Sequence, residues 1–260
     1  MQTLLAEDAT LNNNLDLIQP RWSRSRQGRQ LTLGFGIEKM LSQSVSLEIG
    51  SGWEHISPRA GRSGSGFGDV ELMLKYVFLS FPDNRLQIAL APTISFPTDS
   101  HLADERVPPS AGFAFTWGSR LSGLSAGGWR NYVRALEIQG DFGYSHPLGA
   151  PPGDERYFDP VIDYSFPYLA YARENVILWS ARDFCPFLEA NFEQMLRGDQ
   201  RRPSVYLMPG MSYVTEAFQL SAGGQIAMTR AAGNNARVAI VGSALIFLDA
   251  LNPKFAWTPF

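Results

Sequence analysis

The sequence predicts an all-β fold: a transmembrane antiparallel β-barrel of about twelve strands over residues 14–248. An N-terminal periplasmic segment, 1–13, would precede it and a tail, 249–260, would follow it. Three observations predict this. Segments of about 9–11 residues, the length a tilted strand needs to cross a bilayer, alternate strictly between apolar and other residues. The face opposite the apolar one is small or polar instead of densely charged, as in a crowded, wet barrel interior. Long connections alternate with short turns, as they do around a barrel whose loops differ at its two ends.

Composition narrows the field further. Hydrophobic residues are 45% of the 260 and charged residues 18%, against roughly 25% charged in typical soluble proteins. That deficit argues against disorder and against a highly solvated surface. The 24 Gly, 17 Pro and 12% aromatics suit many short strands and turns better than a helical bundle. No apolar run of about 18 residues exists, so no helix would span a bilayer, and the mean hydropathy of -0.12 excludes a polytopic helical protein. Lys+Arg 22 against Asp+Glu 25 gives a net charge of -3, which argues against nucleic acid as a partner. A single Cys, Cys185, excludes an intrachain disulfide framework and any Cys-rich metal site. Met1–Ala6 is too short for the apolar core of a signal peptide. An outer-membrane location therefore implies that a signal peptide was removed or is not in this sequence; a cytoplasmic protein is the other reading.

Seven segments carry the alternation most clearly. They are 30–39, with Leu31, Leu33, Phe35 and Ile37 on one face; 44–54, with Val45, Leu47, Ile49 and Trp53; 67–78, with Val70, Leu72, Leu74, Tyr76 and Phe78; and 86–96, with Leu86, Ile88, Leu90, Ile94 and Phe96. The others are 111–121, with Phe113, Phe115, Trp117 and Leu121; 132–144, with Tyr132, Leu136, Ile138, Phe142 and Tyr144; and 218–228, with Phe218, Leu220, Ile226 and Met228. Weaker candidates at 14–20, 161–172, 184–194, 204–213 and 237–248 complete an even number, twelve.

With the amino terminus on the periplasmic side, the outer connections are 21–29, 58–66, 98–110, 146–160, 196–203 and 230–236. The inner ones at 41–43, 80–85 and 214–217 are tighter, while 122–130 and 173–183 are long for that side. Thirteen of the nineteen arginines fall in or beside the six outer loops. Arg21, Arg24, Arg26, Arg59, Arg62, Arg197, Arg201 and Arg202 would form a rim meeting outer-leaflet lipid and lipopolysaccharide, because guanidinium binds phosphate in bidentate geometry. Trp22, Trp53, Trp129, Trp179 and Trp257, with Tyr132, Tyr144 and Tyr213, lie near predicted strand ends, where an aromatic girdle would sit.

Parity turns Glu38, Glu48, Glu54, Asp69, Glu71, Glu137, Asp141, Glu189 and Glu193 into the lumen, with Lys75 and Arg120 as inward cations. One reading is an acid-lined passage favouring cations or neutral polar solutes, since a confined low-dielectric channel repels anions. The other is a structural network in which Glu71, Lys75 and Arg120 pair across the lumen and plug it. A twelve-stranded barrel is narrower than the 16–18-stranded porins that leave an aqueous channel.

Residues 66–79, GFGDVELMLKYVFL, resemble a strand of the outer-membrane family named for the MetA pathway of phenol degradation. LQIALAPTISFPTDS at 86–100, PFLEANFE at 186–193 and MPGMSYVTEAFQLSAGGQIAM at 208–228 are similar to further parts of it. The matches are scattered over about residues 30–248. The resemblance implies an outer-membrane barrel taking up small, often aromatic compounds. It implies no catalytic residues and no cofactor. The tail DALNPKFAWTPF departs from a last strand ending in Phe, so the twelfth strand would end early.

Other motifs carry less. GRSGSGFGD at 61–69 lacks the Lys-Ser/Thr of a P-loop and opens a strand, not a helix. His55, His101 and His146 lack metal-ligand spacing. His55 and Ser57 share a lipid-facing parity, so a lipid-facing hydrolase like the twelve-stranded outer-membrane phospholipase is a minor alternative, though no orienting Asn is evident. A soluble sandwich or lipocalin-like binder would need Lys and Glu outside, which this polar face lacks. A barrel that anchors an envelope protein partner, through loops 98–110 and 146–160 or the tail, is the main alternative to passage of a small solute.

Overall fold

The computed structural model describes all residues except 1–3, 5, 7–8, 82–85, 99–107, 125–126, 149–152, 173–181, 197–201 and 257–260. Thirteen strand segments follow one another: β1 (Asn14–Arg24), β2 (Gly28–Met40), β3 (Val45–Pro58), β4 (Gly64–Phe67), β5 (Val70–Ser80), β6 (Leu86–Phe96) and β7 (Ser110–Arg120). After them come β8 (Leu136–Pro147), β9 (Glu155–Tyr164), β10 (Phe184–Met195), β11 (Ser204–Val214), β12 (Phe218–Ala227) and β13 (Val238–Phe247). Both β4 and β5 pair antiparallel with β3 and are one strand interrupted at Gly68–Asp69, where the Gly68 N–H still donates to the Gly52 carbonyl at 2.7 Å. Twelve staves result. Each pairs with its chain neighbour, and β13 pairs with β1, so the sheet closes with no edge left open.

Burial is inverted relative to a soluble protein. In β12, Gln219, Ser221 and Gln225 are buried while Phe218, Leu220 and Ile226 are exposed. The same holds around the barrel, up to Ile240 at 60% and Phe67 at 59% exposure. Period-two alternation alone places these faces, and the apolar belt is the outer face that outer-membrane barrels carry. At β1 the register with both neighbours shifts after Asp16, and Leu17 and Ile18 are both exposed there. This bulge keeps Asp16 and, further on, Gln19 and Arg21 directed inward.

Several boundaries differ from the sequence reading. The segment predicted as a strand over 161–172 is β9 followed by a helix, α2 (Phe166–Ala172). The Ser165 hydroxyl accepts the Tyr168 N–H at 3.2 Å, and Pro167 sits in the first turn, where its missing N–H costs nothing. Much of the loop predicted at 146–160 is thus strand. Tyr132, predicted to lie on a strand, sits on a short helix, α1 (Arg130–Val133), with β8 beginning only at Leu136. The loop predicted at 21–29 shrinks to Ser25–Gln27, which leaves Arg21 inside β1. Loop 230–236 holds a helix, α3 (Arg230–Asn235), whose Thr229 hydroxyl accepts the Ala232 N–H. The last strand ends at Phe247, where a further helix, α4 (Leu248–Leu251), starts the tail.

The N-terminal segment was expected to hang in the periplasm. Its described residues instead lie within the barrel: Ala6, Ala9 and Asn13 are buried, and Ala6 packs in a cluster with Val161, Phe187, Met208, Ala239 and Val241.

Candidate functional site: the lumen

Both termini of the barrel lie at one end, here the terminal end; the other is the far end. From far to terminal end the lumen has three zones.

In the far half, inward glycines on β2 and β3 (Gly34, Gly36, Gly50 and Gly52) leave a cavity of about 300 Å³ beside Asp16, Glu48, Glu54, Asp69 and Glu71. A second cavity of about 300 Å³ is lined by Glu71, Asp141, Glu155, Asp159 and Glu193 with Tyr157 and Thr93. Glu71 and Met73 line both, so the two adjoin along an acid-walled vestibule. Ser95 donates to Asp69 at 3.0 Å, and the Phe192 N–H donates to Asp159 at 3.3 Å. Among the described residues no group of three or more His, Cys, Asp or Glu side chains converges as metal ligands would.

The middle is a packed polar network. Lys75 and Glu38, both almost fully buried, form an ion pair at 3.6 Å. Glu38 also accepts from Ser46 at 2.6 Å and from Asn14 at 3.5 Å. Lys75 reaches the Thr10 carbonyl at 3.4 Å. Across the barrel Glu189, fully buried, accepts the Ala6 N–H at 2.7 Å and the Asn191 amide at 3.1 Å. Asn191 accepts from Gln225, whose side-chain oxygen accepts from Arg21 at 3.0 Å. At the terminal mouth Arg120 pairs with Glu137 at 3.3 Å, and Gln139 donates to Asp163 at 3.0 Å. A cavity of about 330 Å³ there is lined by Arg120, Arg134, Glu137, Asp163, Tyr168 and Cys185, with Asn12 of the N-terminal segment.

The residues singled out by parity therefore fall as follows. Glu38, Glu48, Glu54, Asp69, Glu71, Asp141, Glu189 and Glu193 line or fill the lumen, with Glu137 at its terminal mouth. The single cross-lumen cluster of Glu71, Lys75 and Arg120 does not form: Lys75 pairs with Glu38, and Arg120 lies at the opposite end from Glu71. Sequence reasoning missed Asp16, Glu155, Asp159, Asp163 and Arg21. The signal was available in Glu155, Tyr157, Asp159, Val161 and Asp163 alternating with Arg156, Phe158, Ile162 and Tyr164; the sequence reading splits this run at Pro160, with a loop to 160 and a strand from 161. With these included, thirteen carboxylates among the described residues line the lumen, against the cations Arg21, Lys75 and Arg120, with Arg134 at the terminal mouth.

Arg24, Arg26, Arg59, Arg62 and Arg202 are exposed at the far end, while Arg197 and Arg201 lie outside the described residues. Arg21 does not belong to that rim, because the bulge in β1 turns it inward. Arg24, Arg29 and Arg59 surround a cavity of about 220 Å³ with Ser25 and Ser57, and no carboxylate lines it. Trp22 is exposed on the outer face two residues below Arg24. His55, stacked on Trp53, hydrogen-bonds across to Ser65 at 2.7 Å, and Ser57 is approached by Ser63 at 3.5 Å. The imidazole thus makes its described hydrogen bond to Ser65 and not to Ser57. His101, Trp179 and Trp257 lie outside the described residues.

No family model and no curated protein matches this sequence. Among solved structures, the NanC porin is similar with a TM-score of 0.55 and 8% identity, covering 88% of this chain and 98% of that one. The outer membrane phospholipase A from Escherichia coli covers 93% of this chain and 97% of its own at TM-score 0.43 and 8% identity. The translocator domain of the autotransporter NalP from Neisseria meningitidis covers 90% and 86% at TM-score 0.43 and 11% identity. The likeness to NanC at this identity speaks to fold: the chain is a closed antiparallel barrel of twelve strands, built as outer-membrane β-barrels are.

Proposed function

We propose that this chain resides in a bacterial outer membrane and binds or passes a small solute through its lumen, with a preference for cations and no covalent chemistry. The observation that carries this is the excess of carboxylates lining the far half of the lumen. In a narrow lumen with low-dielectric walls, such an excess concentrates cations and repels anions. The terminal end is then periplasmic. The scattered resemblance to the phenol-degradation family supports uptake of a small, aromatic compound. In planar bilayers the reversal potential under a KCl gradient should report cation preference, reduced in Glu71→Gln. An unchanged potential would remove the lumenal carboxylates from the account, and complete absence of conductance and of solute-dependent vesicle swelling would sink passage altogether.

The far rim supports contact with outer-leaflet lipid. Three guanidinium groups around one carboxylate-free cavity, above an exposed Trp, sit where lipopolysaccharide phosphates would. Phosphorus retained with the purified protein should fall by more than half in the Arg24→Gln/Arg29→Gln/Arg59→Gln variant; equal retention would discard the site. A second reading, a barrel that holds an envelope partner without transport, is favoured by one observation: the N-terminal segment occupies the lumen.

A further inference from the structure

One part of the lumen wall breaks the polar pattern. Val161, Phe187, Met208, Ala239 and Val241 face inward as an apolar patch beside the fully buried carboxylate of Glu189. In an open, water-filled lumen that patch would be wet and Glu189 would lie at its edge. Ala6 and Leu4 cover the patch, and the Ala6 N–H supplies the donor to Glu189. Gly223 leaves the space Leu4 uses: a Cβ there would stand 3.0 Å from the Leu4 Cδ1.

The way the segment is held distinguishes a plug from a structural strand. None of its described residues before Asn14 pairs into the sheet. Among residues 4–10 the described ties include the backbone groups Ala6 N–H to Glu189 and Thr10 carbonyl to Lys75 and the side-chain bond of Thr10 to Gln87 at 3.5 Å, whereas Asn13 fixes the junction with β1 through Lys39, Met40 and Asp249. The described apolar groups it lays on the patch are the Ala6 methyl and the Leu4 side chain. A backbone amide and such apolar groups can be replaced by a ligand presenting an N–H donor and an apolar body. The seat, not the segment, carries the specificity.

We propose that the N-terminal segment is a displaceable plug and that the seat it vacates binds a small amphipathic cation, an apolar body carrying a protonated amine. The amine replaces the Ala6 N–H at Glu189, the body lies on the apolar patch, and the acid-walled vestibule delivers it from the far side. The seat is a property of the wall and goes beyond the passage reading; only the route of arrival rests on that reading.

Benzylammonium, with benzoate as its counterpart of opposite charge, tests this on the refolded full-length chain and on a variant lacking residues 1–10. Calorimetry should show benzylammonium binding the truncated barrel at least tenfold more tightly than the full-length one, benzoate binding neither, and Glu189→Gln erasing the difference. Equal binding of the two compounds, or no gain on truncation, overturns the proposal. If truncation prevents folding, Leu4→Cys/Gly223→Cys in a Cys185→Ser background tethers the plug reversibly. Oxidised protein should fail to bind benzylammonium and reduction should restore binding; identical behaviour in the two states overturns displacement. Bilayer currents separate the two ideas. A truncated barrel that binds but never conducts keeps the seat and refutes passage. Cation-selective current that is unaltered by truncation keeps passage and refutes the plug.

Discussion

Lys75 shows what one side chain can and cannot announce. Its inward direction follows from parity with Leu74 and Tyr76 on the outer face, and its side chain is buried to 2%. Its partner does not follow from parity. Glu38 lies on β2, with β3 between, and is brought near because Ser46 opposes both Met40 and Lys75 in the ladders. A buried ion pair contributes little beyond an apolar replacement, yet losing one member strands the other. Lys75→Met should therefore destabilise the barrel by about 3–5 kcal/mol, leaving the buried Glu38 without its cation. Urea unfolding in detergent measures this, and Lys75→Met/Glu38→Met should recover most of the loss. A double variant no better than the single one would show that the pair is not the source.

At the scale of elements, glycine and aromatic residues face each other across strands. Gly143 opposes Tyr157 on β8 and β9, and a Cβ on Gly143 would lie 2.0 Å from the Tyr157 ring. Gly210 opposes Phe187 on β10 and β11 in the same way, at 2.1 Å. In each pair the ring folds over the bare backbone of its neighbour, filling the lumen wall and pinning register. Gly143→Ala should cost about 1–3 kcal/mol through crowding, read as a lower unfolding midpoint, and Tyr157→Ser in the same chain should remove the penalty. No change in the single variant would mean the ring moves without cost. The sequence hid this element: Pro160 sits inside β9, opposite Gly140, so the sequence reading splits the run there although Phe158 and Ile162 alternate correctly. Proline lacks a ladder donor, and the strand pairs with β8 throughout from Glu155 to Tyr164 while its pairing with β10 skips Asp159 and Pro160.

For the whole molecule, the lumen's charge acts as a field and not as one contact. The Debye length grows from about 3 Å at 1 M salt to about 30 Å at 0.01 M. Cation preference should therefore rise steeply as KCl is diluted over that range, as measured by reversal potentials. Selectivity independent of salt would point to a steric filter. The sequence by itself determined the barrel, its twelve strands and, within the clearly alternating strands, the two faces, because side-chain direction in a regular strand depends only on local parity. It also determined that carboxylates would crowd the interior, since Glu48, Asp69, Glu71, Asp141 and Glu189 all sit on the polar parity. Only the tertiary structure decided which of these meet, because partners across a closed sheet depend on register and on the bulge that turns Arg21 inward. It alone placed the N-terminal segment in the lumen. Nothing in the sequence of that segment marks its destination; the inward apolar patch around Phe187 and Met208, assembled from β9, β10, β11 and β13, packs against it there.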